Sequence, residues 1–215
     1  MPYEFNNSAV RVATSGAFYY CEDDLGVIYP TVKAQLEDPA IDIDTITAAT
    51  FLQCGLLSED AIEHEMADET EDITSWQRGV VRTLITSRAA SFTLSSLETN
   101  RPSLELFYGA IMSLPSAGVG RIGVQSSVAR KKMIAIVEFI DGTLADGITP
   151  KRFRIIMPSA QVTELESPSF TSATAVAWGF TIQALGGSGD LLTLITNDPI
   201  VTGAATAITS VIEAE

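Results

Sequence analysis

Few side chains in this sequence could carry chemistry, and their spacing assembles no reaction centre. His64 is the only histidine and sits in an acidic run. An imidazole-rich metal site is therefore excluded, and a Ser-His-Asp relay would have to use that one ring. An exposed loop or strand histidine is the simpler reading. Cys21 and Cys54 are too few and too far apart for structural zinc or a disulfide framework. Asp42 and Asp44 lack the glycine and distal glutamate of a calcium loop. Gly118-Val119-Gly120-Arg121-Ile122-Gly123 matches G-x-G-x-x-G, a pattern that binds pyrophosphate only where a strand turns into a helix N-terminus. Here a predicted helix stopped by Pro115 precedes it and no helical start follows over 124–132, so it reads as a flexible loop. Carboxylates are plentiful, but no pair is set in contrasting environments as acid–base work requires. No catalytic residue, cofactor site or metal site is predicted, and the chain is not read as an enzyme.

The elements that would position any site are mostly strands. Val176, Trp178, Phe180 and Ile182 fall on one face of a period-two run from Thr174 to Ala184, and Phe92 and Leu94 share a face of Ser91 to Leu97. Met133 to Ile140 is almost wholly apolar, which predicts a strand covered on both faces. Ala17 to Cys21, Thr50 to Leu56, Val80 to Thr86, Arg152 to Met157, Ala160 to Leu165 and Leu191 to Thr196 complete the strand set. Gly186 to Asp190 reads as a hairpin loop between two of them. One helix over about 101–112 is expected from the Asn100 cap, Pro102 in the first turn, and Leu104, Phe107, Tyr108 and Ile111 at helical spacing. So short a helix must lie on the sheet. The fold class is mainly β, a sandwich or barrel in one domain with one flanking α-helix.

Composition bounds the function. The 215 residues carry 27 acidic and 13 basic side chains, a net charge of -14, so a basic face for nucleic acid is not expected as the working surface. Apolar residues reach 46% and charged ones only 19%, leaving either a mild surface or one covered by other subunits. No apolar run is long enough for a membrane helix, and residues 1–16 lack a secretory pattern, so a soluble cytoplasmic product is expected. From Glu59 to Asp72 eight acids occur, and no Lys or Arg lies between Lys33 and Arg78. Basic residues cluster at Arg130-Lys131-Lys132 and Lys151-Arg152-Arg154. This segregation suits head-to-tail contacts between identical subunits, or it reflects no more than loop solvation.

The stretch from about Gly55 to Gly109 resembles the major tail tube protein of long-tailed, non-contractile bacteriophages, especially those of actinobacterial hosts. The matching pieces are Gly55 to Asp60, Glu69-Thr70-Glu71-Asp72-Ile73 with Trp76, Val81-Arg82-Thr83, Phe92-Thr93-Leu94, Leu97 to Asn100, and Tyr108-Gly109 closing the helix. The later strands are similar in layout only. The Gly118 to Gly123 loop and the lack of an appended immunoglobulin-like domain depart from the family.

The resemblance implies a self-assembling virion protein of the tail, made and assembled in the host cytoplasm. Six copies would form a ring, and rings would stack into a tube around a tape measure protein, later passing double-stranded DNA. Tail terminator and tail-tip proteins would meet its ends, with no membrane partner. It also implies an N-terminal arm over about 1–16 and an inter-ring loop over about 57–79. Residues 200–215 stay open between a last strand and a tail ordered by a neighbour. Glu69, Glu71, Asp72, Ile73, Trp76 and Arg78, with Arg130, Lys131 and Lys132, are the candidate inter-subunit contacts. Trp76 is equally readable as a core tryptophan. The competing function is a β-sandwich binding module, such as a minor tail or receptor-binding component.

Overall fold

A computed structural model describes residues 9–126, 130–186 and 189–203. The expected N-terminal arm lies outside the described residues as far as residue 8, and the C-terminal segment lies outside them from residue 204. Among the described residues ten strands dominate: β1 (Ser15–Glu22), β2 (Leu52–Gln53), β3 (Leu57–Ser75), β4 (Gly79–Ser96), β5 (Ser113–Ser116), β6 (Val119–Arg121), β7 (Met133–Thr143), β8 (Pro150–Leu165), β9 (Trp178–Ala184) and β10 (Thr193–Thr196). Helices are α1 (Tyr29–Leu36), α2 (Arg101–Tyr108) and α3 (Pro199–Thr202). Among the described residues no helix is long and apolar enough to cross a membrane.

The main sheet is antiparallel in the order β2-β1-β7-β8-β9-β4-β3, with β10 also on β8. It curls on itself, so that Phe18 of β1 meets Phe180 of β9, three strands away, at 6.3 Å between ring centroids. The two ends of the sheet are joined by a crossing of three residues, Cys54 to Leu56. The Cys54 N–H still donates to the Phe18 carbonyl at 3.4 Å, and Leu57 already pairs with Ser96. Gly55 makes that crossing at φ +80, where a Cβ would collide with the Glu98 carboxyl group. That carboxylate accepts the Leu56 N–H at 2.8 Å. The alternation read from the sequence now has its cause: Trp178, Phe180, Ile182 and Ala184 point into one core with Phe18, Phe92, Leu94 and Met157.

β7 is covered on both faces, as its apolar run predicts. Met133, Ala135 and Val137 face the interior, while Ile134 and Ile136 pack with Val32 and Leu36 of α1. The sequence reading did not predict α1. It offers only two buried residues to the sheet, too few for a clear helical period. Its start is fixed by Asp23, whose carboxylate accepts the N–H groups of Val27, Ile28 and Tyr29 at 2.8–3.0 Å. Its end is held by Arg154, fully buried, which donates to the carbonyls of Leu36 at 2.8 Å and Ile41 at 2.7 Å and pairs with Glu138 at 2.6 Å.

Four local expectations are corrected. α2 ends at Tyr108, short of 112, because Gly109 adopts φ +63 and turns the chain out of the helix. The segment 57–79 is no loop: it is nearly all strand β3, bonded to β4 along its length. The G-x-G-x-x-G stretch is not an irregular loop throughout, since Val119–Arg121 pairs with β5 in a small hairpin. Gly186 to Asp190 does not turn a hairpin, although residues 187 and 188 lie outside the described set. The strands on either side, β9 and β10, both run antiparallel to the same edge of β8, Ala184 against Ala160 and Thr193 against Ile156. β10 therefore continues the direction of β9 further along that edge.

Candidate assembly surface

β4 pairs with β9 only from Ser91 to Ser96, whereas its ladder with β3 continues to Gly79. Twelve residues of β4 (79–90) and the ten facing them on β3 (66–75) thus leave the β9 ladder as a two-stranded arm, roughly 35 Å long at the usual strand rise. Two bulges in β4 punctuate it, at the register shifts between Glu69 and Thr70 and between Ile73 and Thr74. Bulges add twist and blunt the arm's edges. Gly79 at φ +69 and the Arg78 N–H to the Ser75 carbonyl at 3.3 Å close the tip.

The period of two sorts the candidate residues. Glu69, Glu71 and Ile73 lie on the face turned away from the core, continuing a row begun by Glu63 and Glu65. Asp72 lies on the opposite face, which prolongs the core face of Phe92 and Leu94. Its carboxylate accepts the Thr83 hydroxyl at 2.6 Å, and that of Glu69 accepts the Ser87 hydroxyl at 2.7 Å. Asp68 is clasped by Arg88 through two bonds of 2.6 and 2.7 Å, which hold its carboxyl below the usual range. Apolar side chains sit exposed on the arm as well: Met66, Ile73, Val80, Val81 and Ile85. The sequence reading placed Val81 in its matching pieces but missed Met66, Val80 and Ile85 as surface residues. Their visible signal is a strand whose two faces are both partly apolar.

Trp76 stands at the tip, 99% exposed, so the core alternative for it is overturned. Arg78 beside it is exposed and has no ion pair among the described residues. His64 is an exposed strand residue whose ring lies 5.0 Å from Phe92. The basic candidates lie elsewhere. Arg130 donates to the Leu106 and Phe107 carbonyls at 3.0 and 3.1 Å, capping the end of α2, and its burial lowers its pKa. Lys131 pairs with Glu22 at 2.6 Å, and Lys132 is exposed. Within one subunit these three are not brought to the arm. Of the second basic cluster, Arg154 is a core residue and Arg152 pairs with Asp42 and Glu138. Among the described residues no group of three or more His, Cys, Asp or Glu is placed to hold a metal ion.

The family described as phage tail tube protein matches residues 4–207. No curated protein matches the chain. Among solved structures, the cap of the anti-feeding prophage is similar at 16% identity, covering 63% of this chain and 78% of that one, with a TM-score of 0.38. The virion of a native gene transfer agent particle matches at 10% identity over 69% and 89% of the two chains, TM-score 0.37. A sheath–tube complex of an extracellular contractile injection system in its extended state matches at 12% identity over 65% and 85%, TM-score 0.33.

Proposed function

The chain belongs to the phage tail tube protein family, a structural component of the virion tail, and from that premise we propose that it assembles into stacked rings of six that form the conduit for phage DNA. The observation that carries this reading is the arm. A two-stranded ribbon with apolar residues on both faces is marginal alone in water, and a tip tryptophan with no cover is a contact looking for a surface. Edges left open on β2 and β3 offer a second kind of join, by strand pairing within a ring.

Charge fits a conduit. The uncovered face of β8, β9, β4 and β3 carries Gln161, Gln183, Thr93 and the Glu63 and Glu65 carboxylates, all outside the core. Duplex DNA bears one negative charge about every 1.7 Å. An acidic wall therefore repels the passing duplex instead of binding it. The partners that go with this role are the tape measure protein inside the tube and the terminator and tip proteins at its ends, with assembly in the host cytoplasm.

Electron microscopy of the concentrated, purified protein tests the proposal. Hollow tubes or six-membered rings are expected. Strictly monomeric protein at every concentration would overturn it in favour of a binding module.

A further inference from the structure

A cleft of about 320 Å³ opens beside the C-terminal end of α2. Leu106, Ile111, Met133 and Val162 give it an apolar floor and wall, and Glu22 and Arg130 stand among its polar lining. Its size is at the low end for small-molecule sites, which suits one large side chain better than a metabolite. We infer that the arm tip of a second copy, with Trp76 foremost, seats in this cleft. The inference rests on the stacking reading above and names the surface that receives the arm.

A tip that fills this cleft must come from another copy. β4 runs 18 residues from the tip at Gly79 to Ser96, whose hydroxyl lies 2.9 Å from that of Ser103 in α2. At the usual strand rise that is roughly 55 Å, whereas α2 is only about 12 Å long. A tip therefore cannot reach its own cleft. The donor and acceptor surfaces lie at opposite ends of one strand, the arrangement that propagates head to tail.

Charge agrees with this docking. Arg78, next to the indole, approaches the Glu22 carboxylate, which is half exposed and shared with Lys131. Asp72 and Glu71, on the two faces of the arm about 13–17 Å behind Trp76 along β3, then flank the mouth, where Lys131 lines the cleft and Lys132 is exposed beside it. The basic candidates and the acidic arm, distant within one subunit, meet between two.

The test is a cysteine pair, Gln77→Cys with Ile111→Cys, both on exposed positions. The native Cys21 and Cys54 are buried, and burial pushes the Cys54 thiol up to about 12, so they do not compete for mild oxidant. Tubes that gain inter-subunit disulfides from this pair, and not from Gln77→Cys with Leu25→Cys, support the docking. Tubes that form without the link overturn it and leave the tube reading standing. Absence of tubes from the wild-type chain removes the tube reading and this inference together. A cysteine variant that does not assemble is replaced by fluorescence of the wild type. Trp178 is covered already, so a blue shift on assembly reports Trp76 and supports the docking, and an unchanged spectrum overturns it.

Discussion

Arg154 is the residue on which the outer layer of the barrel depends. Its guanidinium ties Glu138 to the carbonyls at the end of α1, so replacing it leaves a largely covered carboxylate with only the longer Arg152 contact and several carbonyls without their donor. Arg154→Leu is expected to cost about 3–5 kcal/mol, as breaking a buried pair does; equilibrium urea unfolding measures it. The two tryptophans behave oppositely. Trp178, 4% exposed, donates its indole N–H to the Thr99 hydroxyl at 3.0 Å, and Trp178→Ala should cost about 3–5 kcal/mol. Trp76→Ala should leave monomer stability within about 0.5 kcal/mol, like other surface changes, while sharply reducing tube formation by light scattering. The two residues also show what was legible. Trp178 announced itself through alternation. Trp76 did not, because an indole between an acidic run and a strand fits a core or a contact equally well, and only placement decides. The role of Arg154 was invisible, since the carbonyls it serves lie more than a hundred residues away in the chain.

At the scale of elements, strands were readable wherever one face is apolar, because a period of two is imposed by the pleat. β3 was not, since beyond Met66 neither of its faces meets the core and its acids resemble a loop. The helix α1 was hidden for a related reason: its cap comes from Asp23 across a turn, and its cover is contributed by the sheet. The arm is separable in energetic terms. Among the described residues it packs on nothing beyond its own ladder, so excising residues 70–85 and joining the strands through a two-residue Asn-Gly turn should leave a folded body. Its circular dichroism and unfolding midpoint should stay close to those of the full chain, with no assembly at any concentration. Collapse of the body would show instead that the arm supports the barrel.

For the whole molecule, a net charge of -14 means that copies repel one another before they touch. Raising ionic strength from about 0.01 to 0.15 M shortens the Debye length from about 30 to 8 Å, while the apolar contacts of the tip are unscreened. Tube growth followed by light scattering should therefore accelerate over that range. Slower growth would show that attraction between the acidic arm and Lys131 and Lys132 outweighs the general repulsion.

β4 is at once a stave of the barrel and half of the arm, without a break between the two. A tug on the tip is thus delivered lengthwise along β4 to its ladder with β9, which holds six consecutive residue pairs from Ser91 to Ser96. Loaded this way the ladder is sheared, and its bonds must yield together rather than peel one after another. A tail that flexes or is pressurised would accordingly slip at its joints before its building blocks came apart.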